Sequence, residues 1–187
     1  MQAKPAKPAK PAKPAKPARP AIALRPARAA DSERCQAIAV AAWTPIYASS
    51  RQMLGDAIFT HLYPRWEERK ASQIAASFHN HLEWIVVAVT AATTDGPEVQ
   101  IAGFATYRLD AQARVGEIGN NAVDPAWQGH GIAGQLYREV LARFRAAGMR
   151  VARVTTGLDE AHAPARAAYH KVGFAAATSS ITYYQEL

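Results

Sequence analysis

The sequence predicts an α/β or α+β domain of three layers. Strand-like runs stand both before and after helical ones, and hairpin-like and crossover-like connections are mixed. The clearest helix, Gly131 to Ala147, lies between two strand-like runs, Val115 to Val123 and Val151 to Thr155. A third observation is the length of 187 residues, enough for one domain with a proper core and too short for two.

Ile22 to Arg25 reads as a short first strand. Asp31 suits the cap of a helix through Cys35, Ile38 and Ala42, which Pro45 is expected to end or bend. Pro64 precedes a helix from Arg65 to Asn80, with Trp66, Ile74 and Phe78 at helical spacing. Its Arg65, Glu67, Glu68, Arg69 and Lys70 read as a solvated face of mixed pairs. Trp84 to Val89 and Ile101 to Leu109 are strand-like, separated by the turn-like Thr94-Asp95-Gly96-Pro97. In the helix from Gly131, Ile132, Leu136, Val140, Leu141 and Phe144 make one apolar face, and Gly148 is placed to end it. Pro164 opens a short helix through Lys171 with Gly173 at its end. Ile181 to Gln185 reads as a closing strand.

The net charge of +7 is concentrated at one end. Residues 3–20 are six Ala-Lys-Pro or Ala-Arg-Pro triplets carrying Lys4, Lys7, Lys10, Lys13, Lys16 and Arg19, so the remainder carries +1. Proline in every triplet removes backbone donors and like charges repel, so this tail is expected to be a disordered, polyproline-like arm reaching about 60 Å when extended. The domain is then residues 21–187, near neutral, with no electrostatic case for specific nucleic-acid binding. Only Ala21 to Leu24 follows the tail before Arg25, too short for a signal region, and no apolar run is long enough to span a bilayer. Cys35 is the single cysteine, which rules out an internal disulfide and suits a buried, inert thiol. A cytoplasmic location without membrane partners is the expectation.

Gln128-Gly129-His130-Gly131-Ile132-Ala133 joins the strand at Val115 to Val123 to the long helix. A helix start carries unpaired N–H donors and the positive end of the macrodipole, so it suits a phosphate or pyrophosphate. A Walker-type loop requires a lysine that is missing here. The dinucleotide fingerprint is spelled by Gly129, Gly131 and Gly134, but Asp124 to Gln128 separate it from the strand it should follow directly. The pattern Q/R-x-x-G-x-G/A of a coenzyme A pyrophosphate loop fits at every fixed position.

With Ala122-Val123-Asp124-Pro125 before this loop, and Ala165, Tyr169, Lys171, Gly173 and Phe174 after it, the chain resembles the GNAT superfamily of N-acetyltransferases over roughly Ala21 to Leu187. The resemblance implies a central mixed, mostly antiparallel sheet of six to seven strands, flanked by helices and splayed at the acyl-CoA site. It implies acetyl-CoA as acyl donor, with no metal, and direct transfer to a primary amine of a small molecule or peptide. Backbone groups of Ala122 and Val123 would pair with the pantetheine arm, and Gln128, Gly129, His130, Gly131, Ile132 and Ala133 would hold the pyrophosphate. Asn120 and Asn121 are read either as a bulge that opens the sheet or as ordinary polar strand residues. Tyr169 would donate a proton to the leaving thiolate; otherwise it is a tyrosine packed on the core. Glu117 is either the base for the amine or a strand carboxylate paired with an arginine. His162, seven positions before Tyr169, stands where the family often carries asparagine. The alternative is a catalytically silent acyl-CoA-binding regulator. The assembly expected is a monomer or homodimer, and the tail lysines are candidates for self-acetylation.

Overall fold

The computed structural model describes residues 21–90 and 99–187. The triplet tail and the Thr94-Asp95-Gly96-Pro97 turn lie outside these residues. Five strands form one sheet in the order β1-β2-β3-β4-β5. They are β1 (Ile22–Pro26), β2 (Ile85–Thr90), β3 (Ile101–Asp110), β4 (Val115–Val123) and β5 (Val151–Val154). Neighbours run antiparallel as far as β4, and β5 pairs parallel to β4. Such a parallel pair needs a crossover, and the helix α4 (Ile132–Ala146) supplies it. The other helices are α1 (Ser32–Leu54), α2 (Asp56–Leu62), α3 (Trp66–Asn80) and α5 (Ala163–Lys171).

Two apolar clusters flank the sheet. On one face Val86 and Ala88 meet Ile132, Leu136, Val140 and Phe144 of α4, with Tyr169 of α5. On the other face Ile85, Val87 and Phe104 meet Cys35, Ile38, Ile74 and Phe78 from α1 and α3. Every residue of β2 is therefore buried, which explains its continuous apolar run. Each fully buried Ile, Leu, Val or Phe contributes about 1.5–3 kcal/mol before entropy is counted. Gly116 admits the Phe144 ring against β4, where an added Cβ would sit 2.5 Å from it. Cys35 is fully buried, and burial first, with the Asp31 charge beside it, pushes its thiol up to about 12.

Several expectations require correction. Pro45 neither ends α1 nor limits its length: the helix runs for 23 residues to Leu54. One hydrogen bond is forgone at the proline, but packing holds both halves. Cys35, Ile38 and Ala39 are buried against the sheet, and Tyr47 packs on Phe59, Tyr63 and Trp66. Helix α2 had no counterpart in the sequence reading. Lys70 does not belong to a solvated face; it is 5% exposed. Ile181 to Gln185 forms no strand, and residues 174–187 adopt no helix or strand. The sheet consequently has five strands, fewer than six to seven. Ile181 and Tyr183 stand exposed, and the apolar alternation found no partner strand. Among the described residues no helix is long and apolar enough to cross a membrane.

Asp31 fastens β1 to α1, but through an arginine rather than as a helix cap. Arg25 donates to both its carboxylate oxygens, at 2.6 and 2.9 Å, and the Arg28 N–H donates at 2.7 Å. Burial works against the charged carboxylate, but the Arg25 and Arg28 contacts outweigh it and hold Asp31 below the usual carboxylate range. A depressed native pKa adds stability that is complete above about pH 4 and lost as pH falls through the native value. Asp31→Asn is expected to lower Tm by about 4–8 °C at pH 7, with the deficit closing in strong acid; calorimetric melting from pH 7 to pH 2 checks it.

Candidate active site

Strand β4 carries one extra residue. Ala105 pairs with Asn121, but Tyr107 pairs with Ile118, so Gly119 and Asn120 together oppose Thr106. This is the bulge that the adjacent asparagines suggested. It breaks the two-residue alternation. Ile118 and Asn121 face α4 and α5, while Asn120 faces α3. Pairing between β4 and β5 spans only Val115 to Ile118 against Val151 to Val154. Beyond the bulge the pairing stops, and among the described residues the edge of β4 from Gly119 to Val123 has no partner strand on that side.

Which backbone groups line this gap follows from the ladder. The Asp124 N–H donates to Ala102 O on β3 at 2.9 Å. By alternation Ala122 also turns to β3, while Asn121 and Val123 present their N–H and C=O groups to the gap. Of the two residues expected to hold an extended ligand, Val123 turns its main-chain groups away from β3, its C=O accepting from the Gln128 side chain, and Ala122 turns its own to β3. Thr156, just beyond β5, has a buried hydroxyl without a hydrogen-bond partner among the described residues.

The loop after β4 is held open by its own side chains. Asp124 accepts from Ala126 N–H at 2.8 Å and is ion-paired with Arg34 of α1. Gln128 donates through Nε2 to Val123 O at 3.1 Å, so its side chain closes the loop. His130 directs Nδ1 at Gln128 O (2.9 Å) and Trp127 O (3.2 Å), which also braces the loop. Gly129 and Gly131 have φ of 77° and 80°, in the left-handed region. An added Cβ at either would meet nothing within 4 Å, so the requirement for glycine there is conformational. Among the described residues, none of the main-chain N–H groups from Gly129 to Gly134 donates to a backbone carbonyl. These six consecutive donors, including those of Ile132 and Ala133, lie at or just before the positive end of α4.

On the other side of the gap, Tyr169 is 6% exposed and stacks on Tyr137, with ring centroids 4.7 Å apart. Tyr137 donates its hydroxyl to Asn121 Oδ1 at 2.7 Å, and Asn121 Nδ2 donates to the Tyr169 oxygen at 3.1 Å. The Tyr169 proton is left free to point elsewhere. Burial, and then the adjacent Tyr169, push the Tyr137 phenol up, so it remains a donor. Tyr137 had no assigned role in the sequence reading, and Asn121 was read only as part of a bulge or as a polar strand residue. Tyr137 lies four residues before Leu141 on the apolar stripe of α4, a spacing that could have flagged it.

Glu117 occupies a different environment. Its Oε2 accepts from Arg108 of β3 at 2.7 Å and from Arg153 Nε of β5 at 2.8 Å. Partial burial opposes its charge, but the two guanidinium groups prevail and hold the carboxyl below the usual range. His162 has Nδ1 2.6 Å from Asp159 Oδ2, near the start of α5. Although some burial opposes it, that hydrogen bond keeps Asp159 lowered. The contact uses one imidazole nitrogen and leaves Nε2 without a partner among the described residues.

On the α1 and α3 side of the bulge lies a cavity of ≈ 510 Å³ lined by Trp43, Tyr47, Tyr63, Trp66, Arg69, Lys70, Gln73 and Asn120. An open depression of ≈ 580 Å³ beside Arg65 and Ser72 adjoins it, sharing Arg69 and Gln73, and involves no strand residue.

Comparison with known proteins matches this geometry. The sequence profile of the acetyltransferase (GNAT) family covers residues 47–174, and the chain belongs to that family. Its fold is shared with a GNAT family acetyltransferase from Brucella melitensis solved with acetyl-CoA: TM-score 0.55, 24% identity, 83% of this chain and 84% of that one. It is shared with the PaiA N-acetyltransferase from Thermoplasma acidophilum solved with coenzyme A: TM-score 0.60, 17% identity, covering 86% and 93%. A transcriptional regulator from Bacillus halodurans also matches, with TM-score 0.54 and 15% identity over 88% and 100%. No curated protein sequence matches the chain.

Two substitutions probe the site's construction. Gly131→Ala is expected to cost about 1–2 kcal/mol, read from urea denaturation, because alanine is strained at that φ. For Glu117→Gln, loss of a sheet ion-pair network predicts a lower Tm that is most evident at low salt. A drop in turnover of about 10²-fold at unchanged Tm would instead identify a base.

Proposed function

We propose that this chain transfers the acetyl group of acetyl-CoA directly to a primary amine. The observation that carries the proposal is the run of free amides from Gly129 to Gly134 beside the unpaired edge of β4. Acetyl-CoA supplies the acetyl group as a thioester and offers a pyrophosphate and an extended pantetheine arm. Gly129, His130, Gly131, Ile132 and Ala133 would meet the pyrophosphate through main-chain N–H groups, with Gln128 and the His130 ring shaping the loop. Val123 and Asn121 would pair with the pantetheine amides as a strand does. His162 has Nε2 available toward the coenzyme.

Tyr169 is the proton donor in this reading. The amine nitrogen forms a bond to the thioester carbon, the C–S bond breaks, and the Tyr169 hydroxyl protonates the departing thiolate; the amine releases its surplus proton to solvent, and solvent returns a proton to Tyr169. Tyr137 and Asn121 act through Tyr169 by fixing its oxygen and leaving its proton undirected. Glu117 has no part in this scheme, because both arginines compete for its charge.

Titration calorimetry with acetyl-CoA, followed by thiol release over an amine panel, tests the reading. Binding with turnover is expected. Tight binding without turnover of any amine identifies a silent acyl-CoA-binding regulator instead, and absence of binding overturns the proposal. Tyr169→Phe is expected to lower kcat by about 10²-fold while acetyl-CoA affinity changes little.

A further inference from the structure

The cavity beside the bulge contains a cation without a counter-ion. Lys70 Nζ donates to Gln73 Oε1 at 2.9 Å and to Asn120 Oδ1 at 3.2 Å, and lies 3.4 Å from the centre of the Trp43 ring. All three partners are neutral. No ion pair among the described residues includes Lys70, and no carboxylate lines the cavity. Arg69 adds a second cation to the wall. Burial pulls the Lys70 ammonium down to about 8, which is the cost of holding that charge without compensation. The rest of the wall is aromatic, with Tyr47 and Trp66 stacked at 4.2 Å and Trp43 and Tyr63 beside Tyr47.

We propose that this cavity is the acceptor site and that its substrate class is an amine that also carries a carboxylate and a flat apolar body, the chemistry of an aromatic amino acid. The inference rests on the acetyl-transfer reading above and specifies its acceptor. A substrate carboxylate supplies the counter-charge that Lys70 lacks. Lys70 and Asn120 touch at the bulge, and Asn121 faces the Tyr169 side of the same strand. In an α-amino acid one carbon separates the carboxylate from the nitrogen. Anchoring the carboxylate on Lys70 therefore brings the nitrogen to the point where the sheet divides. The aromatic walls take the side chain, since rings gain from offset and edge contacts beyond their buried area. The same cation disfavours a protonated amine nearby, which promotes the neutral form that attacks the thioester carbon. Polycationic amines meet two like charges here and no carboxylate.

The test compares L-phenylalanine with phenethylamine, which differ by the carboxylate alone, and with spermidine as a polycation. Thiol release in the presence of acetyl-CoA is the readout. L-Phenylalanine is expected to show a kcat/KM at least about tenfold above phenethylamine, with spermidine lowest. In Lys70→Met that ratio is expected to fall to about threefold or less, and in Lys70→Arg to recover in part. Because the ratio is taken within one preparation, a general loss of activity cancels. Calorimetry with acetyl-CoA reports whether each variant is folded, and the wild-type comparison stands without them. Equal or better use of phenethylamine or spermidine by the wild type overturns the acceptor class and leaves acetyl transfer intact. Acetyl-CoA binding with no turnover of any of the three overturns both the acceptor class and acetyl transfer to amines of these kinds. Absence of acetyl-CoA binding defeats the underlying reading itself.

Discussion

The extra residue in β4 opposite Thr106 is the constraint on which the site depends. A regular strand would place Ile118 and Asn120 on one face, and would leave Asn121 facing the other. The inserted residue turns Asn120 toward α3 and Asn121 toward α4 and α5. The bulge thus exchanges the faces that the two asparagines would take in a regular strand, putting Asn120 at the aromatic cavity and Asn121 at the tyrosine pair. The same irregularity coincides with the end of β4–β5 pairing, so a strand edge that would otherwise be satisfied is available between the two faces.

The helices supply complementary surroundings for that opening. Helix α4 begins one short loop after β4, and the left-handed Gly129 and Gly131 shape that loop so that the unpaired amides of the helix start lie beside the open strand edge. Phe144 at its far end lies in the space left by Gly116, fixing the helix against the sheet. Helices α1 and α3 are apolar where they cover β2 and β3, and become aromatic and cationic beyond the bulge. Lys70 tolerates its position because two amide oxygens and the Trp43 face solvate the ammonium partially.

Much of this was legible in the residues. The strand Val115–Val123 and the helix after it were placed within a residue by period and by the glycine signals, because both are long and have one strongly apolar face. The bulge was legible only as two polar residues where a strand should alternate. Lys70 was misread because its neighbours Glu67, Glu68 and Arg69 are charged, although it stands four residues after Trp66 and four before Ile74 on the buried stripe. Helical spacing outweighed local charge. Pro45 does not end the helix for the converse reason: local preference favoured a break, and burial before it together with the aromatic packing of Tyr47 after it prevailed. The closing strand failed because alternation of Ile181 and Tyr183 describes a strand's faces and does not provide an edge to join.

By itself the sequence determined the family and the order of most elements, and singled out the glycine-rich loop as the candidate phosphate site, since all three are written in local spacing and in the conformational demands of single glycines. Tertiary structure alone decided which asparagine serves which face, that Glu117 is bound between Arg108 and Arg153, and that Lys70 is buried among rings. Those outcomes depend on contacts between segments far apart in the chain, and the strength of a charge or hydrogen bond is set by what surrounds it once the chain has closed.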